Sequence, residues 1–317
     1  MTTRHFTDTA RVELTRLAAL GLICIVLAIV SPHFATVQNI RNVVLQASLL
    51  ALLSFGMTFA LLVEGIDLSV GSVIALCGVI AASLIAKGQI LFGIVIGILT
   101  AAACGFLNGA LIGFLRIPPV IATYGMLFIA RGLAFSYTGG FAIYSFDMRF
   151  RWIATGVILG LPVPIFIAIV MALILTFISQ RTILGKAIYG VGSNRNAAKY
   201  TGINVSLTLF AVYLLSCILS GFAALIYIAR LNAAEPIIGE LFTLDAIAAT
   251  VIGGTSFSGG EGTPRGTVIG ALIISVIRNG LNLLKVNSQW QIFFIGAIVL
   301  SAVTLDILSK KIAERRK

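Results

Sequence analysis

Between Lys87 and Arg116 the chain reads GQILFGIVIGILTAAACGFLNGALIGFL (residues 88–115), without one charged side chain. Coiled into an α-helix at 1.5 Å per residue, such a run is about 42 Å long, more than the roughly 30 Å hydrocarbon core of a bilayer. A barrel strand would cross in about ten residues and turn every second side chain to a polar lumen. This run is apolar on all sides and far longer, so it predicts a helix. Similar uncharged runs cover residues 17–40, 42–63, 68–86, 152–180, 200–229 and 286–305. Three further apolar regions are interrupted or short: 117–138 contains Arg131, 266–284 contains Arg278, and 243–257 begins at Thr243. Together they predict an all-α, polytopic membrane protein of about ten transmembrane helices.

Composition leads to the same class. Of 317 residues, 59% are hydrophobic and 10% charged, against roughly 45–50% and 25% in soluble domains. Such hydrophobicity excludes a disordered chain. The net charge of +11 does not mark a nucleic-acid partner, because the basic residues punctuate apolar runs instead of clustering on one face. With ten spans, fourteen of the 22 Lys and Arg residues fall on the side of the termini and six on the other, with Arg131 and Arg278 inside spans. The positive-inside rule then puts both termini in the cytoplasm. The expected organisation is a cytoplasmic N-terminal segment (1–16), a transmembrane domain (17–309) with a cytoplasmic loop at 180–204, and a basic cytoplasmic tail (310–317). The run after Arg16 leads into Ser31-Pro32-His33-Phe34 instead of a small-residue cleavage pattern, and reads as the first span.

Chemistry-bearing motifs are scarce. Cys24, Cys77, Cys104 and Cys217 lie in apolar stretches without a CxxC pair, and His5 and His33 are the only histidines. No metal site, cofactor site or catalytic group is predicted. The pattern G-x-x-x-x-G-K-[ST] does not occur, so no phosphate loop is expected in this chain. Gly105, Gly109 and Gly113 repeat every fourth position and predict a close helix–helix contact.

Three segments combine glycine with polar groups. Gly65-Ile66-Asp67-Leu68-Ser69-Val70-Gly71-Ser72 fits a turn capping the next helix, and also an unwound stretch facing a path for solute. In the loop 180–204, Asn194 is placed to cap a short helix over Arg195–Thr201 that Gly202 stops. That loop is either a solvated connector or a contact for a cytosolic partner. The third segment runs from Leu244-Asp245 through Gly253-Gly254 to Gly259-Gly260 and Gly266, a short apolar helix entering a glycine-dense turn.

Taken together, GIDLSVGS (65–72), LDAIAATVIGGTS (244–256) with Gly259-Gly260, and NGLNLL (279–284) resemble the permease family of bacterial ABC importers for monosaccharides of the ribose, xylose, arabinose and galactose type, nearest to the ribose permeases. Ile117-Pro118-Pro119, Ile121-Ala122-Thr123 and Arg131-Gly132 match as well, and the likeness covers about residues 15–305. It implies a permease in the bacterial inner membrane, itself no enzyme, with ATP hydrolysed on separate ABC ATP-binding subunits. It implies a periplasmic or lipid-anchored sugar-binding protein and a second permease subunit, identical or related. Coupling to the ATPase would fall to Gly190, Gly192, Asn194, Arg195, Ala197, Ala198, Lys199, Gly202 and Ile203. The translocation path or its gate would involve Gly65, Asp67, Ser69, Gly71, Asp245, Asn279 and Asn282. Glu64 departs from the family, which usually carries a small residue there. The competing reading is an ion-coupled secondary sugar transporter, which would place ionisable side chains within the membrane.

Overall fold

The computed structural model describes residues 2–314. Thirteen helices follow in order: α1 (Thr2–Val30), α2 (Val37–Leu62), α3 (Val70–Ile85), α4 (Ile90–Gly113), α5 (Pro119–Thr138), α6 (Met148–Thr155), α7 (Val163–Arg181), α8 (Ile183–Ser193), α9 (Arg195–Tyr200), α10 (Val205–Leu231), α11 (Phe242–Ile252), α12 (Pro264–Leu283) and α13 (Ser288–Glu314). Helices α1, α2, α4, α5, α7, α10 and α12 are long and apolar enough to cross a membrane, while α3, α11 and residues 288–301 of α13 are apolar but shorter. Each expected span thus contains an apolar helix, seven of them long enough to cross and three shorter.

The ends follow local chemistry. Pro119 and Pro164 occupy the first turns of α5 and α7, where the missing N–H has no helical partner to lose. The side chains of Thr36, Thr182, Asn194, Asn204 and Thr263 each accept a backbone N–H at the start of their helix. Two expectations are corrected. The uncharged run 152–180 is not one span: α6 ends at Thr155, a hairpin pairs Val157–Ile158 with Leu161–Pro162, and α7 starts only at Val163. Absence of charge cannot separate a span from an apolar hairpin around Gly156, Gly160 and Pro162. In the segment 180–204 the helix expected after Asn194 is present as α9, but the stretch before it is the helix α8 and not a loop.

Helix α2 is the centre of the bundle, packed by α7, α10, α11 and α12. The glycine stripe of α4 faces α10: a Cβ at Gly105 would come within 2.9 Å of Leu214 Cα, and one at Gly109 within 2.7 Å of the Phe210 carbonyl oxygen. Close approach of this kind lets backbones pack without intervening side chains. The other side of α4 leaves Leu91, Phe92, Val95, Leu99 and Phe106 exposed, as lipid contact requires. Loops gather at two faces. One holds α8, α9, residues 63–66, 113–119 and 253–264; the other holds the strand pair Ile143–Tyr144 with Ala233–Ala234 and the α12–α13 turn. We call the first the platform face.

Candidate functional site

Polar groups mark positions along α2 from end to end. At its start Asn39 and Asn279 of α12 exchange side-chain hydrogen bonds of 3.0 and 2.8 Å. Further along, the Thr250 hydroxyl of α11 donates to the Ser54 carbonyl at 3.1 Å, and Thr58 and Thr267 share a hydroxyl contact of 2.6 Å. At its end the Gly260 N–H donates to the Leu62 carbonyl and the Arg195 guanidinium to the Val63 carbonyl, at 2.9 and 2.8 Å. Small hydroxyls and amides can bind across helices without forcing them apart.

Beyond α2 the chain turns back inward. Glu64 adopts φ +60°, a left-handed conformation that L-residues with a Cβ adopt at a cost. The chain then runs through Gly65, where a side chain would strike the Tyr213 hydroxyl, to Asp67. Asp67 is fully buried. Its Oδ1 accepts the Ser69 N–H at 3.0 Å and the Ser69 hydroxyl at 2.6 Å, and its Oδ2 accepts the Ser216 hydroxyl of α10 at 2.7 Å. Asn108 of α4 donates to the Ser69 oxygen at 2.9 Å. The knot thus joins the turn to α4 and α10, and α3 begins beside it, opposite the middle of α10.

Helix α11 also begins inside the bundle. Gly71 and Gly239 meet backbone to backbone, leaving no room for a Cβ at either. Arg131 of α5 holds this approach by donating to the Pro236 and Ile238 carbonyls at 2.5 and 2.8 Å. Asp245, in the first turn of α11, accepts Arg278 of α12 on both oxygens, at 2.5 and 2.7 Å. Two ionised groups away from water are tolerable only as such a pair.

Of the predicted path residues, Gly65, Asp67, Ser69 and Gly71 lie together at the turn into α3. Asp245 is fastened to Arg278, Asn279 to Asn39, and Asn282 accepts the Gln291 amide of α13 at 2.8 Å. The coupling residues divide differently. Gly192 is pressed against the Leu62 carbonyl, Gly190 backs onto Ile203, and Ala198 is only 4% exposed. Asn194, Ala197, Lys199 and Gly202 face outward. Sequence reasoning missed the two most exposed apolar side chains of the platform, Ile183 and Tyr200, at 88% and 90%. Their signal was present, as large hydrophobes beside Arg181 and Lys199, but Ile183 fell in an expected loop, and nothing local told which face of the expected helix over Arg195–Thr201 would carry Tyr200 outward.

A multi-pass helical bundle with buried polar fasteners, two half-length helices starting in its interior and a helical platform at one face is the build of a membrane transport subunit. The chain belongs to the family described as branched-chain amino acid transport system / permease component, which matches residues 39–303. It is 39% identical to the D-allose transport system permease protein AlsC of Escherichia coli (strain K12), over 92% of this chain and 90% of that protein. It is 38% identical to the ribose import permease protein RbsC of the same organism over 96% of both chains, and 39% identical to that of Bacillus subtilis (strain 168) over 95% and 94%. No solved structure matches the chain. The protein is thus a transport component and not an enzyme, a multi-pass protein of the inner membrane. A permease of an ABC importer works with ATP-binding and substrate-binding subunits.

Proposed function

We propose that this chain forms the translocation path of an ATP-driven importer for a monosaccharide, ribose or a close relative of it. The observation that carries the reading is identity of 38–39%, sustained over nearly the whole length, to permeases named for ribose and allose. Two copies, or this chain and a related permease, enclose the path between them. The platform face and both termini are cytoplasmic, as the excess of Lys and Arg on that side supports. There α8 and α9 receive an ATP-binding subunit, with Asn194, Arg195, Ala197, Lys199 and Gly202 at the contact. Gly190, Gly192, Ala198 and Ile203 hold the platform to the rest of the bundle. A periplasmic or lipid-anchored sugar-binding protein delivers solute to the opposite face. Gly65, Asp67, Ser69 and Gly71 shape the path, and Asp245, Asn279 and Asn282 position the helices around it. Alternating access follows if the partners favour inward- and outward-facing arrangements in turn.

Proteoliposomes test this directly. The permease reconstituted with its ATP-binding subunits and sugar-binding protein should take up radiolabelled D-ribose only when ATP is supplied. Uptake by the permease alone on a proton or sodium gradient would instead make it a secondary transporter.

A further inference from the structure

A pocket of about 310 Å³ lies where α3 and α11 begin, walled by Gly71, Ser72, Phe128, Phe135, Glu240 and Thr243. Its size is at the lower end of the roughly 300–1,000 Å³ typical of small-ligand sites. Phe128 is midway along α5, so the pocket sits near the middle of the spanning region. Ser72 is 1% exposed, and its hydroxyl has no hydrogen-bond partner among the described residues. A stranded buried hydroxyl is costly and calls for an explanation. Phe128 is 58% exposed, and Phe135 and Glu240 are exposed too, which leaves the pocket open on one side.

We propose that this pocket is where the transported sugar contacts the permease during passage. The inference rests on the monosaccharide reading above and deepens it. A sugar ring carries both faces that the lining offers to meet. Its hydroxyls can satisfy Ser72, Thr243 and the Glu240 carboxylate, which together donate and accept. Its C–H face can lie against Phe128 or Phe135. Arg131 also lines the pocket, and its guanidinium ties the 236–238 backbone to α5 so that Gly239 stays against Gly71. Few polar contacts and an open side suit a site that must release its solute quickly.

The complete importer in proteoliposomes tests the site, with D-ribose, D-allose and D-galactose as probes. The variants are Ser72→Ala, Thr243→Val and Phe128→Ala. Each should fall about tenfold in uptake of at least one sugar, the loss expected for one hydrogen bond or contact. ATP hydrolysis stimulated by the sugar-loaded binding protein should be unchanged, so that ATP spent per sugar rises. A merely structural role would lower both together. Phe128 is exposed enough that its truncation leaves the fold intact, and that variant remains decisive if Ser72→Ala fails to accumulate. Wild-type uptake and wild-type ATP per sugar in Phe128→Ala and Thr243→Val would overturn the site while leaving the importer reading intact. A wild-type importer that moves none of the three sugars under ATP would overturn the monosaccharide reading first, and the site with it.

Discussion

Asn39 and Asn279, 240 residues apart in sequence, are joined by a reciprocal amide pair: each side chain donates to the other, at 3.0 and 2.8 Å. The pair closes the end of α2 and α12 away from the platform, and Asn39 donates a second bond to the Phe34 carbonyl at 2.9 Å. Each amide spends its oxygen and one N–H on the other. Asn279, expected at the path, is tied in the structure to α2 through Asn39.

The clasp predicts non-additive energetics. Polar contacts between membrane helices average about 0.6 kcal/mol, so two should couple by about 1 kcal/mol. A double-mutant cycle with Asn39→Ala and Asn279→Ala, read by unfolding in mixed micelles, measures this. Additive losses would mean that the two amides act independently.

At Asp67 the prediction is an order of stability. Asp67→Ala removes the acceptor of two buried hydroxyls, Ser69 and Ser216, at about 1–3 kcal/mol for each group stranded. Asp67→Asn keeps the shape and one acceptor oxygen, so it should lose less. Thermal melting of the detergent-solubilised protein should rank parent, Asn, then Ala. Equal melting of all three would remove the knot from the forces that hold α3 in place.

Glu64 offers a change of opposite sign. Its φ of +60° costs a non-glycine residue about 1–2 kcal/mol. Its ion pair with Arg195, at 3.7 Å with the two side chains 44% and 40% exposed, contributes about 0–1 kcal/mol. Glu64→Gly should therefore melt no lower than the parent. Arg195→Ala should melt lower, because the guanidinium also binds the Val63 carbonyl. A large loss on Glu64→Gly would show that the pair outweighs the backbone.

The platform separates packing from docking. Trp at Ala198 has to enter the permease's own interior, and overpacking of this kind costs about 1–3 kcal/mol. Ala198→Trp should thus lower the melting temperature. Tyr200→Asp should leave melting unchanged and reduce co-purification of the ATP-binding subunit about tenfold or more. Normal co-purification of Tyr200→Asp would place the docking contact elsewhere.

Orientation is checked with a membrane-impermeant thiol reagent on intact spheroplasts. Tyr144→Cys, exposed on the face opposite the platform, should react at once. Asn196→Cys in α9 should react only after permeabilisation. The reverse pattern would invert the topology.

The apolar helices were legible in the sequence because the bilayer's demand is one-dimensional: about 20 apolar residues in a row, wherever they fall. The cap at Asn194 was legible for a similar reason, since it depends on neighbours a few residues away. The stripe Gly105-Gly109-Gly113 announced a close contact but not its partner, α10. Burial was not legible. Ala198 and Tyr200 are two residues apart in a six-residue helix, and only the docking of α9 against the bundle turns one inward and the other out. Asp67 read as a cap and also as a path residue, and its partner Ser216, 149 residues away, could not be read from the sequence. The chain by itself determined that this protein is a helical membrane bundle, since hydrophobic length and local capping are written residue by residue. Only the tertiary structure decided which polar groups fasten helices and which, like Ser72, find no partner among the described residues, because a hydrogen bond is satisfied in space and not along the chain.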